Sequence, residues 1–185
     1  MISEASGRHP ATDSEALDTA AQHRAAAGDA VVPCAVVTLS DTRTQATDLS
    51  GRYLADAIVK AGHRLVGSRL IRDEPDALLE AVDALIGDGA LLVLCTGGTG
   101  IGPRDRTVET LEPLWERRLP GFGELMRVLS FEQVGAAAML SRAGAGIYRD
   151  AVLFALPGST AAVELAWTRL ILPEIQHMAH LLRPS

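Results

Sequence analysis

From Val31 onward, apolar positions follow two alternating rhythms, which predict a succession of strands and helices. Ala35-Val36-Val37-Thr38-Leu39 is a β-branched run that stops at polar Ser40-Asp41-Thr42, as a strand ending in a loop should. Tyr53, Leu54, Ile58 and Val59 then recur at helical spacing, with Asp48 or Ser50 as the candidate cap and Gly62 as the stop. Residues 64–71 predict a second strand. Pro75 opens another helix, with Leu78, Leu79, Val82, Leu85 and Ile86 on one face and Gly87 and Gly89 at its end. Leu91-Leu92-Val93-Leu94-Cys95 is apolar throughout, which predicts a strand covered on both faces. Strand, helix, strand, helix, strand implies right-handed parallel crossovers and a doubly wound sheet.

Beyond Thr96 the rhythm loosens. Residues 107–114 predict a helix, 124–135 one or two helices around Ser130, and 151–156 another buried strand. Pro120-Gly121-Phe122-Gly123-Glu124 predicts a turn. Residues 161–172 and 173–182 predict two closing helices, with a break at Pro173. Residues 1–30 are polar and alanine-rich without clear periodicity. They predict an arm, or a short helix within it, ahead of a single folded domain over 31–185.

Composition narrows the class. Small and branched aliphatic residues dominate, as expected where helices pack on a sheet. No apolar run spans a membrane, and the first thirty residues lack a hydrophobic signal core, so a cytoplasmic protein is expected. The net charge is −6 with a single lysine, Lys60, which argues against nucleic acid as a partner. Cys34 and Cys95 fall in predicted strands and belong to no CxxC pair. They are expected to be reduced core thiols, and a zinc site has no support.

Candidate chemistry centres on Thr96-Gly97-Gly98-Thr99-Gly100, directly after the most apolar strand. Open α/β sheets bind ligands at the carboxyl ends of their strands, and glycines there let backbone N–H groups approach an anion. A P-loop would need Gly-Lys-Ser/Thr, and a dinucleotide fingerprint would need glycine at Pro103, so neither applies. A tight turn built from small residues is the alternative. Arg104 and Arg106 are candidate phosphate ligands. Asp105 is a candidate helix cap or magnesium ligand. Asp73 ends the second strand, on the same sheet edge by topology. Taken alone it reads as a cap before Pro75, but paired with Asp105 it suits magnesium held between carboxylates and phosphate. Leu156-Pro157-Gly158-Ser159-Thr160 repeats the strand–loop–helix arrangement. It is either a second wall of the same pocket or a simple turn with a serine or threonine cap. His177 and His180 lack a third metal ligand and read as a solvated or interface helix face.

The order of these motifs resembles a known family. Ser40-Asp41, Asp48-x-Ser50-Gly51, Asp73-Glu74, Thr96 to Gly100, Arg104-Asp105-x-Thr107, Pro120 to Glu124, Ser141-Arg142-Ala143 and Leu156-Pro157-Gly158-Ser159 stand in the register of the MogA/MoaB family. The match runs from about Val31 to the C-terminus, and Ser130-Phe131-Glu132-Gln133-Val134-Gly135 is similar to the MoaB branch. The resemblance implies a three-layer α/β/α domain with a mostly parallel, doubly wound sheet. It implies a homotrimer, in some members a hexamer, and contacts with other molybdenum cofactor biosynthesis proteins. It also implies adenylylation of molybdopterin with Mg2+ and ATP, releasing pyrophosphate. Asp73 and Asp105 match the acidic residues tied to that activity and to the metal. Thr96, Gly97, Gly98, Thr99, Gly100, Arg104, Ser141, Pro157, Gly158 and Ser159 match the substrate-binding set. A molybdopterin carrier or scaffold without chemistry is the alternative that the MoaB branch leaves open. Leu125, Met126, Val128, Leu129, Phe131 and Met139 are candidates for the subunit interface, or for the core.

Overall fold

The computed structural model describes residue 28 and residues 30–182. Apart from Gly28 and Ala30, the expected arm lies outside the described residues, as do positions 183–185 of the expected domain. The chain forms β1 (Pro33–Leu39), α1 (Leu49–Lys60), β2 (Arg64–Ile71), α2 (Pro75–Gly87) and β3 (Leu92–Thr96), as the apolar rhythm predicts. Then follow α3 (Thr107–Leu111), a 3-10 turn (Glu112–Leu114), β4 (Arg117–Arg118), α4 (Pro120–Val134) and a second 3-10 segment (Gly135–Leu140). β5 (Gly144–Tyr148), β6 (Ala151–Leu156), α5 (Thr160–Ala166), a π-helical turn (Trp167–Ile171) and α6 (Leu172–Leu181) complete the fold. No described helix is long and apolar enough to cross a membrane.

The sheet order is β2-β1-β3-β6-β5-β4. The first four strands are parallel; β5 runs antiparallel to β6, and β4 antiparallel to β5. Strand periodicity explains why the central strands are apolar throughout. Val36, Leu94 and Phe154 stand in register and join one apolar cluster with Leu54 and Ile58 of α1. Their neighbours Val37, Cys95 and Ala155 join the other cluster, with Leu78, Val82 and Leu85 of α2. The sheet is thus covered on both faces, the three-layer arrangement. Fully burying each of the larger side chains contributes about 1.5–3 kcal/mol. The thiols of Cys34 and Cys95 are buried and unpaired, and burial pushes both pKa values up to about 12. They are inert core residues.

Two expectations need correction, one strand pair was not anticipated, and burial decides one alternative. Pro120–Gly123 is the first turn of α4 rather than a separate turn. Proline at the start of a helix loses no hydrogen bond and its φ is already helical. Pro173 does not break the chain. The N–H of Leu172 reaches back to the carbonyl of Trp167, and this wider turn carries one continuous rod past the proline. β4 and β5 were not legible at all. Gly144 and Gly146 weaken the strand pattern, but the ring of Trp115 lies over both: a Cβ on Gly146 would stand 2.3 Å from Trp115 Cγ. Finally, Met126 is fully buried and Leu129 packs against the core, so both leave the interface candidates. Leu125, Val128, Phe131 and Met139 are exposed.

Two outcomes follow. Gly146→Val collides with Trp115 and lowers stability by about 1–3 kcal/mol. Urea unfolding checks it, with Gly121→Ala, which has open space around it, close to wild type. The second concerns His63, a buried residue whose Nδ1 accepts the Val32 N–H at 3.3 Å. Burial holds its pKa below the ordinary 6.5. As pH falls below about 6.5 the unfolded chain takes up the proton first, so stability is lost with acidification. The fall in Tm between pH 7 and 5 should be shallower in His63→Asn than in wild type.

Candidate functional site

Register brings three strand ends together: Thr38 of β1 pairs with Thr96 of β3, and Thr96 with Leu156 of β6. β1 connects toward one sheet edge and β3 toward the other, so their carboxyl ends open a crevice between diverging loops. The loops are tied across this crevice. Thr96 Oγ1 donates to the Pro157 carbonyl at 2.8 Å, and the Gly97 N–H donates to the Leu156 carbonyl at 3.1 Å. Gly97 and Gly98 both take positive φ, +106° and +62°. A Cβ on Gly97 would also lie 2.3 Å from the Leu39 carbonyl oxygen, so glycine is required twice over. Thr107, at the start of α3, closes the turn. Its Oγ1 donates to the Gly97 carbonyl at 2.8 Å and its N–H to the Gly98 carbonyl at 3.0 Å. The result is a cleft of about 520 Å³. One wall holds Ser40 and Arg43, the floor Gly97 to Gly100, and the remaining sides Asp105, Ser141 and Pro157 to Ser159.

Both predicted carboxylates pack against the glycine loop. A Cβ on Gly98 would stand 2.9 Å from Asp73 Oδ1, and one on Gly100 2.8 Å from Asp105 Oδ2. Neither aspartate caps a helix: Glu74 and Arg106 occupy the cap positions of α2 and α3. Asp105 Oδ2 instead accepts the Gly102 N–H at 2.8 Å, within its own loop. Burial, and then the negative charges of Asp41, Asp105 and Glu74, raise the Asp73 pKa against the opposing pull of Arg104. Arg142 braces the far side of the loop. Its Nε donates to the Gly100 carbonyl at 2.7 Å and Nη2 to the Asp105 carbonyl at 2.5 Å, while Nη1 meets Glu109. Hydrogen bonding to Arg142 holds the Glu109 carboxyl below its ordinary pKa.

The same cleft and sheet order can be set beside known proteins. Residues 19–177 match the family model described as a probable molybdopterin-binding domain. Molybdenum cofactor biosynthesis protein B of Bacillus subtilis is 43% identical over 164 residues, 88% of this chain and 96% of its own length. A crystal structure of a molybdenum cofactor biosynthesis protein B superposes with a TM-score of 0.80 at 41% identity, covering 83% of this chain and 96% of that one. The tungsten cofactor synthesizing protein MoaB of Pyrococcus furiosus superposes at 0.76 with 35% identity, covering 83% and 98%. The chain belongs to the MogA/MoaB family. Within it, the relatives named here stand on the MoaB side. The family model begins at residue 19, ahead of β1 and inside the expected arm.

In this MoaB-type chain the predicted site residues fall into two groups. Gly97, Gly98, Thr99, Gly100, Asp105, Ser141, Pro157, Gly158 and Ser159 line the cleft, and Asp73 adjoins its floor. Thr96 and Arg104 do not line it. Thr96 is fully buried with its hydroxyl on Pro157, so it positions the walls. Arg104 turns outward to Asp41 at 2.8 Å and Glu74 at 3.4 Å, because those carboxylates are the nearest anions. Arg106 lies beside Glu109 and Arg142 in a neighbouring depression. His177 pairs with Glu174 at 3.1 Å, and no group of three metal-binding side chains occurs among the described residues. Arg43 went unrecognised in the sequence. Its only local signal was an arginine just after Ser40-Asp41.

Magnesium fits this acidic edge. It uses one or two carboxylates with phosphate oxygens and water rather than a full protein cage, and crowded carboxylates are what such an ion relieves. The same crowding sets a pH dependence. The folded-state pKa of Asp73 lies above its ordinary 3.8, so the stabilisation exists when the group is protonated and is lost as pH rises through the raised value. Asp73→Asn therefore raises Tm at pH 7 in metal-free buffer, and the gain shrinks below about pH 4. Thermal melts across that range check it.

Proposed function

We propose that this protein acts in molybdenum cofactor biosynthesis as a magnesium- and ATP-dependent molybdopterin adenylyltransferase. One observation carries the proposal: two carboxylates distant in sequence, Asp73 and Asp105, meet the same glycine loop at a sheet edge otherwise suited to anions. Without a metal, such a pair would repel a phosphorylated substrate. A bound magnesium ion would supply charge neutralisation on the triphosphate, and Asp73 and Asp105 would hold it.

The terminal phosphate oxygen of molybdopterin forms a bond to the α-phosphorus of ATP, and the bond from that phosphorus to the bridging oxygen breaks, releasing pyrophosphate. A phosphate monoester has a second pKa of about 6, so the nucleophile is largely dianionic at neutral pH and needs no general base. The protein's task is to position two polyanions and stabilise their charge. The backbone of Gly97 to Gly100 and the hydroxyls of Ser141 and Ser159 bind and orient. Arg142 keeps Asp105 in place through the loop carbonyls it holds. The exposed Leu125, Val128, Phe131 and Met139 support self-association, as a trimer or paired trimers, in a cytoplasmic protein.

Pyrophosphate release from molybdopterin, ATP and magnesium tests this. Asp105→Asn keeps the loop hydrogen bond to Gly102, so the variant folds and binds molybdopterin, while turnover falls about 100-fold or more. A well-folded wild type that binds molybdopterin and releases no pyrophosphate would instead be a carrier.

A further inference from the structure

We propose that Arg43 is the anion anchor of the cleft, gripping a phosphate monoester on the wall it forms with Ser40. The inference begins with where the arginines around the loops are engaged. Arg104 is occupied by Asp41 and Glu74, and Arg142 by the carbonyls of Gly100 and Asp105 and by Glu109. Arg106 faces the neighbouring depression. Arg43 alone among the described cations lines the cleft.

Its guanidinium is fixed in place before any ligand arrives. Nη1 donates to Ser50 Oγ at 2.6 Å and to Asp48 Oδ1 at 3.5 Å, and Nη2 donates to the Gly158 carbonyl at 2.8 Å. Asp48 does not line the cleft. Its carboxylate caps α1 by accepting the Gly51 N–H at 3.0 Å, so a ligand meets the arginine first. Three of the five guanidinium hydrogens are used. The Nε–H and one Nη2–H have no acceptor among the described residues, and two such donors suit two oxygens of one phosphate.

Two hydroxyls complete the cradle. Ser40 Oγ accepts the N–H groups of Thr42 and Arg43 at 3.3 and 3.1 Å, which leaves its hydrogen to donate. Ser159 Oγ accepts the Ala162 N–H at 3.3 Å and likewise keeps its hydrogen. The cleft thus has two walls of opposite character. The Arg43 wall receives a bare phosphate, and the aspartate edge receives a phosphate that arrives with a metal. This deepens the function proposed above and rests on it only for which molecule carries the phosphate.

Inorganic phosphate is the probe, titrated at pH 7.5 without metal or nucleotide and at constant ionic strength set with sodium chloride. Saturable protection is expected in wild type by thermal shift. Affinity falls at least tenfold in Arg43→Gln and is unchanged in Arg69→Gln, an exposed arginine of β2 that does not line the cleft. A loss under twofold in Arg43→Gln, or no saturable response in wild type, overturns the anchor. Should Arg43→Gln fail to fold, the arginine Nε–Hε NMR signals of wild type decide. One signal, absent in the Arg43→Lys spectrum, shifts with phosphate; if none shifts, the assignment falls. No step of this titration involves adenylyl transfer, so it and the pyrophosphate assay can fail separately.

Discussion

Three parallel strands stop at the same level, and the chain must leave each of them without blocking the others. That constraint governs everything at the carboxyl edge of the sheet. The backbone after β3 has to turn within van der Waals contact of the end of β1, where the Leu39 carbonyl leaves no room for a Cβ. Two glycines with positive φ make the turn. Thr96 and Thr107 then bond its carbonyls and neighbours so that the turned loop stays open as a cradle. Each of these groups is buried or nearly so. Buried hydrogen bonds are expensive to leave unmade, so they define one geometry rather than several.

Electrostatics is layered on that frame in a divided way. Acidic groups from the loop after β2, from the loop after β1 and from the loop before α3 crowd one side, with Arg104 as their counter-charge. Arg43, tethered to Asp48, Ser50 and Gly158, stands on another side. Such a cleft does not have the uniform field of a simple anion trap. On the proposed reading it would hold a cation between carboxylates at one place and an anion on a guanidinium at another. Such a division would let two phosphorylated molecules come together without repelling each other.

Much of the fold could be read in advance, because burial on both faces of a parallel sheet leaves a clear trace. The run Leu91 to Cys95 and the helical spacing of Leu78, Val82 and Leu85 each predict their element within about a residue. The antiparallel edge left no such trace. Its glycines make room for Trp115, a contact between segments 31 residues apart at Gly146, and glycine in a strand reads locally as a loop. Pro120 and Pro173 misled for a related reason. Proline is a breaker only inside a helix, and whether it stands inside depends on where neighbouring turns begin.

At the site, the residue types alone determined that a glycine loop follows the most buried strand and that Asp73 and Asp105 fall at strand and loop ends of one sheet edge. These are local facts of composition and strand–helix order, and the parallel topology follows from them. Which charged groups face the cleft was decided only by the tertiary structure. Arg104 sits in the motif yet turns away to Asp41 and Glu74, while Arg43, outside the glycine loop, reaches across to Gly158, 115 positions along the chain. A long side chain's direction is set by its nearest opposite charges and acceptors. Those neighbours come together only when β1, β3 and β6 are already paired.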